Sequence, residues 1–273
     1  MTASPEAAHW HAIVTGGSSG IGLALVRRLV ASGVPTSVIA LDDADLAALR
    51  HALPAVTCVA ADVSDRVQAQ AAVAECVAAR GPCDLLVTSA GVITPGYFAE
   101  LADVEFERQM QVNYFGTLWP IRAVAGPMIE AGGGSIVAIS SFGGLMGVFG
   151  MGAYGPSKYA VRGLCETLRL ELGPHGIHVL AVYPTDVDTP MLAREKPLHP
   201  PEENAMQGTI KPMSPDVVAD TILDALRRRR ARLYPGRRNA LLAHLVMASP
   251  ALATKYAEVA VARARPASRA APR

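Results

Sequence analysis

Cysteine and lysine are both scarce in this chain, and several kinds of segment are missing altogether. The four cysteines, Cys58, Cys76, Cys83 and Cys165, form no C-x-x-C and no His/Cys ligand spacing. A disulfide framework and a structural metal are therefore not expected, and the thiols read as reduced and mostly buried in a cytoplasmic protein. No stretch reaches the roughly eighteen apolar residues that a membrane-spanning helix needs. The first ten residues carry neither a basic region nor a long apolar run, so they do not read as a signal peptide. Net charge is also missing: the formal value is +1. Such a balance gives no global pull toward nucleic acid or an anionic membrane. Lysine is the last shortage. Of 25 basic residues only Lys158, Lys196, Lys211 and Lys255 are lysines, and the rest are arginines.

What is present is apolar, with 51% hydrophobic residues in a length of 273. That suits one large α/β domain with a sizeable core, or two small ones. Short β-branched runs at 12–14, 37–41, 56–60, 84–88, 135–140 and 178–183 read as strands. They alternate with helical stretches at 20–32, 45–51, 66–79, 103–131 and 154–172. Continuous apolar runs fit strands covered on both faces, and this alternation predicts an α/β fold with a doubly wound parallel sheet. No domain boundary interrupts it before residue 185. From Pro184 to Pro215 prolines are expected to prevent regular structure, leaving a substrate loop at 185–215. Ser214-Pro215 starts a helix over 216–230, as an N-cap followed by proline at N1. A last strand at 231–234 and a helical extension over 237–262 follow. The expectation is a single domain over 8–262 with a disordered tail at 263–273.

The first strand runs into Thr15-Gly16-Gly17-Ser18-Ser19-Gly20-Ile21-Gly22, and a helix begins there. Strand, glycine-rich turn and helix together bring backbone N–H groups and a helix N-terminus to a pyrophosphate. The second strand ends at Leu41-Asp42-Asp43. An acid there accepts from adenosine ribose hydroxyls and repels a 2′-phosphate. No Arg or Lys lies in the turn, and none follows the strand until Arg50. Asp42 thus favours NAD(H), with NADP(H) as the alternative. Either Asp42 or Asp43 equally suits the cap of the next helix. Asp62 faces the adenine or caps the helix near Asp65. Further along, Tyr154 and Lys158 stand four residues apart in A-Y-G-P-S-K-Y. On a helix both lie on one face, and an ammonium beside a phenol favours the phenolate.

Taken together these stretches resemble the short-chain dehydrogenase/reductase family over about residues 10–235. Gly16 to Gly22 matches its cofactor turn, and Tyr154 and Lys158 match its Y-x-x-x-K. Thr88-Ser89-Ala90-Gly91 matches its N-N-A-G, with Thr-Ser in place of Asn-Asn. Asn113 and Ser141 match its helix asparagine and its serine. Pro184 to Pro190 matches its P-G-x-x-x-T segment, with Thr185 in place of glycine. The resemblance implies a Rossmann-type fold and an NAD(P)-dependent oxidoreductase. It places Gly16, Ser18, Ser19, Gly20, Ile21, Gly22, Asp42, Asp43, Asp62, Val63, Ser89, Ala90, Gly91, Pro184, Val187 and Thr189 at the cofactor. Tyr154 would act as acid/base. Lys158 would bind the nicotinamide ribose and lower the Tyr154 pKa, Ser141 would hold the reacting oxygen, and Asn113 would place a water leading from Lys158 to solvent. It also implies a homodimer or homotetramer.

The expected substrate walls hold Phe142, Val148, Phe149 and Met191, and no charged residue lies between Phe142 and Ala153. That points to a small hydrophobic carbonyl or alcohol. Y-P-T-D-V-D-T-P-M is similar to the 3-ketosphinganine reductase branch, which acts on a long-chain keto-amine with NADPH. Leu241, Leu242, Leu245 and Val246 form an apolar stripe near arginine-rich runs. It suits a pocket lid, a subunit contact or peripheral contact with a membrane surface. A non-catalytic dinucleotide sensor or scaffold on the same fold is the alternative from another class.

Overall fold

The computed structural model describes residues 10–41, 43–203 and 211–264. Its centre is a seven-stranded parallel sheet in the order β3-β2-β1-β4-β5-β6-β7. The strands are β1 (Ala12–Thr15), β2 (Thr36–Ala40), β3 (Thr57–Ala60), β4 (Leu85–Thr88), β5 (Gly134–Ile139), β6 (Ile177–Val182) and β7 (Arg232–Leu233). Alternate residues enter opposite cores because side chains alternate across a strand. The register aligns Ile13 with Leu86, Leu86 with Ile136, and Ile136 with Val179. That row packs on the face covered by α3 (Arg66–Arg80), α5 (Gly116–Ala131) and α6 (Tyr154–Leu172). The next row, Val14, Val87, Val137 and Leu180, packs on the face covered by α1 (Gly20–Ala31), α2 (Ala44–Ala52) and α8 (Pro215–Arg227).

The helices follow the sequence signals closely where those signals are local. Helix α6 spans the expected residues and ends at Gly173-Pro174. Its Val161, Cys165 and Leu172 form the buried stripe that seats it on the sheet. Burying a Val or Leu side chain of this kind contributes about 1.5–3 kcal/mol. Gly33, at φ +76°, ends α1 as expected. Ser214 caps α8 through the Asp216 N–H. Arg28 of α1 also bridges to Asp216 at 2.7 Å. Such an exposed pair contributes at most about 1 kcal/mol, so buried Val218 and Ile222 hold α8 in place.

Two expectations are corrected. The helix expected over 103–131 is not uniform: α4 (Asp103–Met110) passes through a π turn at Gln111–Phe115 before α5 begins. The proline-rich segment is not irregular throughout, because it contains α7 (Pro190–Glu195) and a 3-10 turn at Lys196–Leu198. Pro190 stands in the first turn, where a missing N–H costs nothing. Thr189 caps the helix by accepting from the Leu192 N–H at 3.3 Å. Helices α9 (Arg237–Ala248) and α10 (Pro250–Ala264) complete the chain, and from residue 265 the expected tail lies outside the described residues. Among the described residues no helix is long and apolar enough to cross a membrane. All four cysteines are free thiols.

Candidate functional site

The carboxyl ends of β1, β4, β5 and β6 open into one cavity of about 660 Å³. It sits beside the β1/β4 junction, where the strand order reverses and α/β sheets bind ligands. On one side is the glycine-rich turn. Gly16 has φ +63°, and a Cβ there would lie 2.7 Å from the Ala90 Cα. A Cβ on Gly22 would lie 2.3 Å from the Gly16 carbonyl oxygen. Side chains at these two positions would push β1, β4 and α1 apart. Helix α1 starts at Ser19 without a side-chain cap and has no acid in its first turn. Helices α2, α3 and α8, by contrast, are capped by Asp43, Asp65 and Ser214. Ser19, Gly20 and Ile21 at the start of α1 therefore present N–H groups that no side chain caps to the cavity, a cradle that fits a dinucleotide pyrophosphate.

Facing this turn, α6 brings Tyr154 and Lys158 to the cavity one turn apart. The Lys158 Nζ lies 5.7 Å from the Tyr154 ring centre. It donates to the Ile139 carbonyl at 3.0 Å. The Ser140 hydroxyl holds the Lys158 carbonyl at 2.9 Å, which ties α6 to the end of β5. Ser141 caps the short turn Phe142–Gly144, accepting from the Gly143 N–H at 3.1 Å. Its hydroxyl also hydrogen-bonds Tyr154. Asn113 sits on the π turn and is wholly buried. Its Oδ1 accepts from the Val92 N–H at 2.8 Å, and its Nδ2 donates to the Val92 carbonyl at 2.9 Å and to Ser157 Oγ at 2.9 Å. Ser157 in turn donates to the Tyr154 carbonyl at 2.7 Å.

Burial sets the electrostatics. It holds the Tyr154 phenol well above its usual range. The Ser141 hydrogen bond works against this, and Glu195 and Asp186 add to it. Burial also lowers the Lys158 ammonium to about 8. The lowering of the Tyr154 pKa expected from Lys158 is thus outweighed: desolvation of the phenolate dominates, and the ammonium is directed at Ile139.

Most of the expected site residues converge. Gly16, Ser19, Gly20, Ile21, Ser89, Ala90, Gly91, Ser141, Tyr154, Lys158, Pro184, Val187 and Thr189 line the cavity, as do Phe142, Val148 and Met191. Others do not. Val63 is buried in the core, where a Cβ on Gly116 would meet it at 2.9 Å. Phe149 packs edge-on against Tyr97. Asp43 caps α2 by accepting from the Leu46 N–H at 3.0 Å. Asp62 accepts from the N–H and hydroxyl of Ser64, and it is Asp65 that caps α3. Ser18 and Gly22 shape the turn without lining the cavity. Asn113 supports the loop at Val92 and does not itself face the cavity. Asp42 lies outside the described residues.

Leu242, Leu245 and Val246, from the apolar stripe for which a pocket lid was one expectation, line one wall of the cavity together with Leu252 of α10. Sequence reasoning missed Leu252 and a polar part of the site. Asp186, Glu195 and His199 line the same cavity, although only a proline-rich loop was expected there. Burial lifts the Glu195 carboxyl to about 7, with Asp186 adding to the effect. Burial also raises Asp186 and lowers His199 from their ordinary values. Behind them burial carries Glu203 to about 8.

Residues 10–198 match the family model described as short chain dehydrogenase. The chain belongs to that family. It is 37% identical over 222 residues to a 3-ketodihydrosphingosine reductase of Mus musculus, covering 78% of this chain and 67% of that one. It is 41% identical over 181 residues to a 3-alpha-(or 20-beta)-hydroxysteroid dehydrogenase of Mycobacterium tuberculosis, covering 66% and 70%. Among solved structures, a short chain dehydrogenase/reductase from Burkholderia phymatum in complex with NAD superposes with TM-score 0.78 at 25% identity, covering 89% and 95%. A short-chain dehydrogenase from Streptomyces avermitilis gives 0.76 at 30% identity, covering 93% and 98%. As a short chain dehydrogenase the protein is an oxidoreductase that acts on a CH–OH or C=O group of a small molecule and binds a nicotinamide dinucleotide.

Proposed function

We propose that this short chain dehydrogenase reduces the ketone of a hydrophobic, long-chain substrate, with Tyr154 as the proton donor. The observation that carries the reading is the placement of Tyr154, Ser141 and Lys158 between a pyrophosphate cradle and an apolar wall. When bound, the nicotinamide supplies the hydride. The turn at Gly16 to Ile21, the strand-end residues Ser89 to Gly91, and Pro184, Val187 and Thr189 hold the dinucleotide. Ser141 fixes the carbonyl oxygen beside the phenol. Tyr154 delivers its proton to that oxygen. Lys158 stabilises the phenolate that remains. Asn113 and Ser157 act as positioning residues, the first fixing Val92 and the second fixing the first turn of α6.

The apolar lining of Phe142, Met146, Val148, Met191, Leu242 and Leu245 supports a hydrophobic substrate, as do the names of the two relatives. For the cofactor we favour NAD(H), since Asp42 follows β2 and the turn at 16–22 holds no basic residue. The test is a nicotinamide fluorescence assay with a panel of ketones. Tyr154→Phe is expected to abolish turnover and leave dinucleotide affinity within about twofold, because the phenol ring still fills its place. Turnover that survives in this variant removes the mechanism. Titration with both cofactors checks the preference, and tighter binding of NADPH than of NADH reverses it.

A further inference from the structure

The substrate half of the cavity is walled by loops. Val92 and Ile93 come from the loop after β4, Val148 and Met151 from the loop after β5, and Met191 and His199 from α7 and the turn behind it. The first two loops are joined through their backbones. The Gly96 N–H donates to the Gly150 carbonyl at 2.8 Å, and Gly96 forms a parallel bridge with Met151. The third segment is joined to them by side chains. The Tyr97 hydroxyl donates to Glu202 Oε2 at 3.0 Å. The Tyr97 ring meets Phe149 edge-on, with 5.8 Å between centres. Gly150, at φ +78°, allows the close approach: a Cβ there would lie 3.0 Å from both Glu203 Oε2 and Pro200 Cγ. Tyr97 thus stands where the three segments meet, and it does not line the cavity itself.

Glu202 is 2% exposed and follows closely on His199 of the cavity wall. A carboxyl buried this far needs a donor, and the Tyr97 hydroxyl supplies one. Without it Glu202 would turn toward water and draw the His199 side of the wall outward. The other end of the same segment stands apart from this link. Thr189 caps α7 and packs on the dinucleotide turn, where a Cβ on Gly20 would meet its Cγ2 at 3.1 Å. We propose that Tyr97 is a positioning residue for the substrate: through Glu202 its hydroxyl sets the width of the substrate half of the cavity and leaves the dinucleotide half unchanged. The fit of the ketone is then controlled from outside the cavity, by a hydrogen bond between the loop after β4 and the segment after α7. This rests on the reading of the cavity as the ketone site beside Tyr154.

The test joins hydrogen exchange of the protein to steady-state kinetics with a panel ketone that the wild type reduces. Tyr97→Phe keeps the ring against Phe149 and removes only the hydroxyl. It is expected to raise exchange across 196–203 about fivefold, the effect of one ordinary hydrogen bond, and to leave 189–192 unchanged. KM for the ketone should rise by a similar factor, with kcat and dinucleotide affinity within about twofold of wild type. Glu202→Gln keeps an acceptor for the phenol and should behave as wild type, whereas Glu202→Ala should match Tyr97→Phe. Glu202→Ala also reads the link from its other side if Tyr97→Phe does not fold. Unchanged KM or unchanged exchange in these two variants, or a loss of dinucleotide affinity as large as that for the ketone, overturns the positioning role while the catalytic reading stands. Turnover that survives Tyr154→Phe, or no reduction of any panel ketone, overturns the catalytic reading and this role with it.

Discussion

Lys158→Met should make the cofactor-free protein more stable while removing its activity. The structure buries Lys158 and lowers its pKa from an ordinary 10.5 to about 8. Each unit of such a shift is worth about 1.4 kcal/mol, so keeping the ammonium folded at neutral pH costs on the order of 3 kcal/mol. The hydrogen bond to the Ile139 carbonyl, lost in the variant, offsets roughly 1–2 kcal/mol of that gain. Methionine is unbranched and fills the same channel. The expected net gain is about 1–2 kcal/mol, or a Tm higher by several degrees in a chain of this size. The sign with pH is fixed. The folded pKa lies below the unfolded one, so the cost is present in full below about 8 and disappears as pH rises toward 10.5. The advantage of the variant should shrink over the same window. Scanning calorimetry of both proteins at neutral and alkaline pH is the assay. Equal or lower Tm at neutral pH, or a gain that does not change with pH, refutes the view that burial of this charge opposes folding.

The same shift predicts that kcat/KM for ketone reduction declines on the alkaline side with an apparent pKa near 8, as Lys158 loses the proton that supports the phenolate. A flat profile through that region places the support of Tyr154 elsewhere. Gly16→Ala combines a positive φ with a Cβ 2.7 Å from the Ala90 Cα. It is expected to cost about 2–3 kcal/mol of stability and to weaken dinucleotide binding, read by thermal melts and by fluorescence titration.

Much of this protein is legible in its sequence because much of it is locally determined. The strands read as continuous apolar runs because both faces are covered. The bounds of α6 follow from its periodicity and from Gly173-Pro174. Tyr154, Lys158 and Ser141 converge because strand ends and helix starts of a parallel sheet meet at one edge. Proline misled at 190, where it begins a helix behind Thr189 and breaks none. Asp43 had two readings, and its side chain performs the capping one. The polar end of the cavity carried no local signal. Asp186, Glu195 and His199 stand in one stretch of chain, and it is the folding of that stretch into α7 and the 3-10 turn that brings all three to the cavity. Asn113 was readable as a residue of note, but its attachment to Val92 depends on tertiary contact.

The π turn at Gln111–Phe115 has a further consequence. Helix α4 packs on α6, while α5 packs on α3 and on β4 and β5. One unbroken α-helix shows a single phase along its length, so it would offer these partners a fixed relation of faces. The wider turn takes up one extra residue, so α4 and α5 keep the relation of faces that a regular helix one residue shorter would give them. Deleting one residue from 111–115 would therefore let the stretch close into an unbroken α-helix that still meets α6, α3 and the sheet. The loss would fall on the turn itself, where Asn113 would be carried away from Val92. One additional residue in the helix is thus what places the Asn113 amide on the loop after β4.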